Sequence, residues 1–181
     1  MYYGKVAGID KPVTRIVFGT DRLPGRRRSW LPDRRLEQQA FSLLDRSLGL
    51  GCNSFDTARI YRDSERTLGT WLRERRNRDE VVIITKGCHP DGRGHPQLSS
   101  NVTRDLHASL DALSTDFIDV HLLHYDHSAA HVEPVMAQLN RRIDKDKIDA
   151  IGASNWSHER ISSANTFAVS NGLQSFPASS V

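Results

Sequence analysis

The chain is short of sulfur, of lysine and of aromatic rings. Two cysteines in 181 residues, Cys52 and Cys88, cannot form the disulfide framework of a small secreted domain. No apolar run approaches the roughly 18–20 residues needed to span a bilayer, so no membrane partner is expected. Met1 to Lys5 lacks an apolar h-region, so no secretory leader is read there and a cytoplasmic location is expected. Aromatic residues make up 7% of the chain, and its five lysines stand against 20 arginines. The arginine runs, such as Arg26 to Arg28, are interleaved with acids, and a net charge of +3 is small. A basic face with interleaved aromatics is missing, so a nucleic-acid partner is not expected. Gly-x-Gly-x-x-Gly and His-Glu-x-x-His are both absent, which removes the two commonest local signals for a dinucleotide and for zinc.

What is present is an alternation. Apolar residues, 38% of the chain, suffice for a core, and the length suits one domain over 1–181. Short β-like runs occur at Arg15–Gly19, Cys52–Asp56, Val81–Thr85, Phe117–His124, Ile148–Ser154 and from Phe176 onward. Helical periodicity fills the gaps. Leu36, Ala40, Leu43, Leu44 and Leu48 predict one apolar face. Leu68, Trp71 and Leu72 predict a second, capped by Asp63 or Ser64. Val102, Leu106, Leu110 and Leu113 predict a third. A fourth helix is expected from about Glu133 to Ile143, and a fifth from a Ser157 cap to Asn171-Gly172. Six strands and five helices in strict alternation predict a parallel sheet with right-handed crossovers. The fold class is α/β, a partial (β/α)8 barrel. A whole barrel takes about 250 residues, so the sequence reads as the N-terminal two-thirds of one, a truncated product or partial reading frame.

Reactive side chains cluster by position. Asp56 ends the second strand and Tyr61 follows it. Lys86 sits just past the third strand, His124 ends the fourth, and Ser154 and Asn155 end the fifth. The carboxyl ends of barrel strands form one rim, where catalysis occurs in this architecture. Each residue alone has a plainer role: Asp56 as a turn cap, Tyr61 as cover for a core edge, Lys86 as a solvated strand end, His124 as a packed rim histidine, Ser154-Asn155 as a turn. An acid, a phenol, an ammonium and an imidazole on one rim are a chemical set.

These stretches match a family pattern. Gly51-Cys-Asn-Ser-Phe-Asp-Thr-Ala58, then Tyr61, Ser64-Glu65, Leu68-Gly69 and Trp71-Leu72 resemble the aldo/keto reductases. Thr85-Lys86-Gly87 resembles that family's catalytic-lysine strand. Thr115-Asp116-Phe-Ile-Asp119 leading to Leu122-Leu123-His124 resembles its histidine strand. Ile151-Gly152-Ala-Ser154-Asn155-Trp156 resembles its nicotinamide-contacting strand. The resemblance runs from about Val13 to Val181. It implies reduction of an aldehyde or ketone to an alcohol, with NADPH, or less often NADH, as hydride source. It implies Tyr61, Lys86, Asp56 and His124 as the catalytic set. It also implies Gly19, Thr20, Asp56, Ser154, Asn155 and Ser180 as cofactor contacts, a small-molecule carbonyl as partner, and no metal.

Elementary chemistry is consistent with that implication. A phenol with a pKa near 10 is a reluctant acid at neutral pH, and a neighbouring ammonium favours the phenolate. Lys86 can supply the ammonium, Asp56 can orient it, and His124 can polarise the carbonyl. The set has no nucleophile, so the hydride must come from a cofactor. Three departures stand out. Ser180 occupies a position where the family usually has glutamine, which predicts a water-mediated contact. His124-Tyr-Asp-His127 replaces a proline-containing turn. The strands that hold the adenosine phosphates in the family lie beyond residue 181. Two rivals remain. A non-catalytic barrel fragment or binding subunit is one. A metal hydrolase is the other, and strand parity disfavours it, because His121 and His124 should face opposite ways. Trp30 and the loop carrying Cys88, His89 and His95 are read as pocket wall.

Overall fold

A computed structural model describes residues 1–23, 33–61, 63–90, 99–127, 131–143 and 146–180. A short hairpin comes first, β1 (Tyr3–Gly4) against β2 (Val13–Thr14), antiparallel. Then the alternation begins: β3 (Phe18–Gly19), α1 (Arg34–Gly49), β4 (Ser54–Asp56), α2 (Ser64–Arg75), β5 (Val82–Gly87) and α3 (Ser99–Leu113). It continues through β6 (Ile118–Leu123), α4 (Val132–Ile143), β7 (Ile148–Ser154), α5 (His158–Ser170) and β8 (Ala178–Ser180). Strands β3 to β8 are all parallel and pair in sequence order, so the sheet curls as a half barrel with five helices.

Strand parity sorts the side chains. Val82, Val120, Leu122 and Ala150 face the concave side, where Ile9 and Val13 of the hairpin pack on them. Ile83, Leu123, Ile151 and Ala153 face the helices and join Phe55, Trp71, Leu106 and Met136. The hairpin thus stoppers the amino-terminal end of the half barrel. An ionic anchor holds it there. Lys11 Nζ donates to Asp119 Oδ1 at 2.7 Å and to the Val81 carbonyl at 2.9 Å. Arg78 meets the other oxygen of Asp119 at 2.8 Å, with its guanidinium 3.8 Å from the centre of the Phe117 ring. Asp119 is fully buried and also accepts the Ile83 N–H, so its charge is matched twice over.

Several expectations need correction. The first strand is confined to Phe18–Gly19, and Ile16 and Val17 are 65% and 40% exposed. Among the described residues β3 is an edge of the sheet, paired with β4 alone over two residues. The hairpin carries no long alternating pattern and gave no strand signal. On α1 the buried residues are Ala40, Phe41 and Leu44, while Leu43 is exposed. The Phe41 ring takes the inward face and Leu43 falls beside it. Asp63 sits at the N-cap of α2 without a side-chain hydrogen bond, because its backbone is not extended there (φ −93°, ψ 8°). The Ser64 hydroxyl is spent elsewhere, as described below.

One local signal acts as read. The Ser157 hydroxyl accepts the Arg160 N–H at 3.3 Å and caps α5. Ser157→Ala should cost about 1 kcal/mol, read as a lowered urea midpoint at unchanged slope. Gly69 has a steric reason: a Cβ there would run into the backbone of Ala112 and Leu113, so glycine lets α2 and α3 touch. Among the described residues, no helix is long and apolar enough to cross a membrane.

Candidate active site

The carboxyl ends of β4, β5, β6 and β7 converge on one cavity of about 540 Å³. Its apolar floor includes Val13, Val120 and Leu122, and its rim includes Gly19, Asp56, Tyr61, Lys86, His124 and Ser154. The parity that aims Val82 and Ile84 inward also aims Lys86 inward, from the last turn of the same strand. Asp56 arrives from the neighbouring β4, whose register pairs Asp56 with Ile84.

The Lys86 ammonium is the centre. Its Nζ donates to both oxygens of Asp56, at 2.5 and 2.6 Å, and to the Thr57 carbonyl at 3.1 Å. It lies 3.4 Å from the Tyr61 hydroxyl oxygen. The Lys86 side chain is 4% exposed and that of Asp56 24%. Burial lifts the Asp56 carboxyl above its ordinary value, and the Lys86 ammonium pulls against that. The His124 ring stands edge-on to Tyr61, with centroids 5.8 Å apart and planes at 85°. Burial, helped by the charge of Lys86, holds the His124 imidazole down to about 4, so it is neutral at neutral pH. His121 points the other way, fully buried on the helix side against Gly87 and Asp105. Parity therefore divides His121 of β6 from His124, just past the strand's end, as expected.

Behind Asp56 lies a hydroxyl cluster that sequence reading missed. Thr20 Oγ1 donates to the Asp56 carbonyl at 2.8 Å and meets Ser64 Oγ at 2.5 Å. Ser64 Oγ also meets Thr57 Oγ1 at 3.0 Å. Thr20, expected as a cofactor contact, is fully buried with its side chain in this cluster and is not among the residues lining the cavity. Beside it, buried Glu65 accepts from Thr85 at 2.7 Å and from Arg59 at 2.7 Å. The stretch Ser64-Glu65 was visible in sequence only as a motif; its partners come from the ends of β3 and β4 and from β5, and no local signal names them.

At the far wall, Asn155 adopts a left-handed backbone (φ 58°), which asparagine tolerates better than most side chains. Its Nδ2 donates to the His124 carbonyl and to Ser154 Oγ, each at 3.1 Å. Both amide hydrogens are thereby used, leaving Oδ1 to accept. Ser154 Oγ accepts from Asn155, leaving its own hydrogen to donate. Asn155 N–H bonds the Ser180 carbonyl at 2.9 Å, which brings β8 to the same rim. One donor and one acceptor side by side match a carboxamide. Gly19 adds an open edge, since a Cβ there would meet nothing nearer than Asp21 Oδ1 at 3.8 Å. Trp30 and His95 lie outside the described residues.

The carboxyl rim of the half barrel thus brings an acid, a phenol, an ammonium and an imidazole to one cavity. The sequence matches the aldo/keto reductase family over residues 15–174, and the chain belongs to that family. It is 34% identical over 150 residues to an aryl-alcohol dehydrogenase of Pestalotiopsis microspora, covering 77% of this chain and 39% of that protein. It is 35% identical over 148 residues to the norsolorinic acid reductase of Aspergillus flavus, covering 76% and 38%. An aryl-alcohol dehydrogenase [NADP(+)] of Phanerodontia chrysosporium is 32% identical over 146 residues, covering 73% and 38%. The matched region thus spans less than half the length of each relative. Family and relatives alike carry the names of reductases and dehydrogenases.

Proposed function

We propose that this chain carries the proton-transfer half of an NADPH-dependent carbonyl reductase in a single barrel domain, with Tyr61 as proton donor. The observation that carries the reading is the position of Lys86 Nζ, held by Asp56 and within 3.4 Å of the Tyr61 hydroxyl. When bound, the nicotinamide supplies the hydride. Everything else falls to side chains of this chain. Tyr61 gives its proton to the carbonyl oxygen as charge develops there, and Lys86 stabilises the phenolate left behind. Asp56 fixes the ammonium and is partly desolvated, so the pair acts in a medium where charges interact strongly. Neutral His124 donates a hydrogen bond to the same oxygen without competing for the proton. Ser154 and Asn155 hold the carboxamide, and Ser180 stands nearby. NADPH is preferred over NADH on the strength of the NADP(+) relative. An aryl aldehyde or ketone is the substrate class suggested by relatives named for aryl alcohols and for norsolorinic acid. The reading carries a cytoplasmic location with it.

The test is label transfer. With NADPH deuterated at C4 of the nicotinamide and an aryl aldehyde, the alcohol product should carry one deuterium on the carbinol carbon. Mass spectrometry decides it. Bound nucleotide with no deuterium transfer would favour a binding role, and no nucleotide binding at all would remove the cofactor assignment.

A further inference from the structure

Among the described residues, nothing supplies His124 with the usual device for holding a functional imidazole. Such a ring is normally oriented through a hydrogen bond made by its second nitrogen. Here Nδ1 is buried with no partner among the described residues. Rings hold it instead. His89 stands edge-on to His124, with centroids 4.9 Å apart and planes at 81°, the closest of its three ring contacts among the described residues. Tyr61 is edge-on at 5.8 Å, and Tyr125 is stacked at 5.8 Å and 26°. His89 is also edge-on to Tyr125, at 5.1 Å and 83°, so it braces both members of the His124-Tyr125 pair. Edge-to-face contacts are directional, because the positive rim of one ring meets the negative face of the next.

His89 is itself held by the backbone. Its Nδ1 lies 2.8 Å from the Pro90 carbonyl, an acceptor, so this nitrogen carries the hydrogen. The preceding residue, Cys88, turns through a left-handed conformation (φ 60°), and its N–H donates to Asp105 Oδ2 at 2.9 Å. The His124 N–H bonds the Gly87 carbonyl at 2.9 Å, which fastens the ends of β5 and β6 together just before the turn. The Cys88 thiol is buried and pushed up to about 12, so it serves here as a small apolar filler and not as a nucleophile.

We propose that His89 is the positioning residue for His124: wedged against His124 and Tyr125, its ring keeps the His124 imidazole turned so that the nitrogen opposite Nδ1 faces the carbonyl oxygen. His89 does not line the cavity, so it acts through His124 and not on substrate. The inference rests on the reading of this cavity as a carbonyl-reduction site.

Two variants separate the ring from its nitrogens. His89→Phe keeps an edge-on ring, and His89→Ala removes it. In protein labelled with 13C and 15N histidine, the His124 Cε1–Hε1 signal is assigned by its loss in His124→Gln. It should be single and sharp in the parent and in His89→Phe, and broadened or split in His89→Ala, with the His121 signal unmoved as a control on folding. An unchanged His124 signal in His89→Ala overturns the proposal. In turnover with NADPH and an aryl aldehyde, His89→Ala should lower kcat about tenfold at unchanged KM for NADPH, and His89→Phe should recover to within about threefold. Equal losses in both variants would mean that the nitrogens act, and would also overturn it. Protein that reduces no aldehyde refutes the reductase reading alone, since the His124 signal still decides the role of His89.

Discussion

Lys86→Met should lower carbonyl reduction by about 10²- to 10⁴-fold while the protein stays folded. Methionine has nearly the length of the lysine stem and no charge. What disappears is the cation between the Asp56 carboxylate and the Tyr61 hydroxyl. Proton donation by Tyr61 then leaves a phenolate with no counter-charge beside it, and the barrier rises by that lost stabilisation. The fold should survive, because the Asp56 side chain is 24% exposed and keeps water when its partner goes. Nucleotide affinity should change little, since the proposed carboxamide contacts, Ser154 and Asn155, come from the end of β7 and not from β5. Single-turnover reduction followed by loss of NADPH absorbance, with circular dichroism on the same sample, separates the two effects. A variant that keeps its rate within about tenfold would remove Lys86 from the chemistry. A variant that unfolds would make Lys86 a structural cation instead.

His121→Leu should make the protein markedly more resistant to acid. His121 is fully buried, and neither ring nitrogen has a hydrogen-bond partner among the described residues. Burial holds its imidazole down to about 4, against a weaker opposing pull from Asp105. In the unfolded chain it titrates near 6.5. Above that pH both states are neutral and the group is silent. As pH falls from 6.5 towards 4, only the unfolded chain takes up the proton, so stability is lost, by about 2 kcal/mol at pH 5. Leucine removes the titration and the two unsatisfied nitrogens together. Urea midpoints at pH 7 and pH 5 should therefore lie closer together in the variant than in the parent. His124 is depressed in the same direction and is present in both proteins, so the difference isolates His121. Parallel acid losses in the two proteins would show that His121 protonates in the folded state.

The residues that were legible in sequence share one property: their placement follows from strand parity and strand ends. Asp56, Lys86, His124 and Ser154 each end an apolar run of a parallel sheet, and a parallel sheet puts all such ends on one rim. The opposite facing of His121 and His124 follows from the same period of two. The helix stripes around Leu68, Trp71 and Leu72, and around Val102, Leu106 and Leu110, were legible for the same reason, since periodicity is local.

What the chain order could not reveal depends on contacts between distant segments. Thr20 and Ser64 are 44 residues apart, and only the pairing of β3 with β4 brings their hydroxyls together. Lys11 finds Asp119 across 108 residues, through a hairpin too short to carry a periodic signal. The wedge of His89 against His124 depends on one left-handed residue, Cys88, whose conformation is fixed by Asp105 on α3. A hydrophobic pattern encodes which face of an element is buried, because burial is repaid residue by residue along the strand or helix. It does not encode which polar partner waits on that face, because hydrogen bonds are directional and their geometry exists only once the elements have packed.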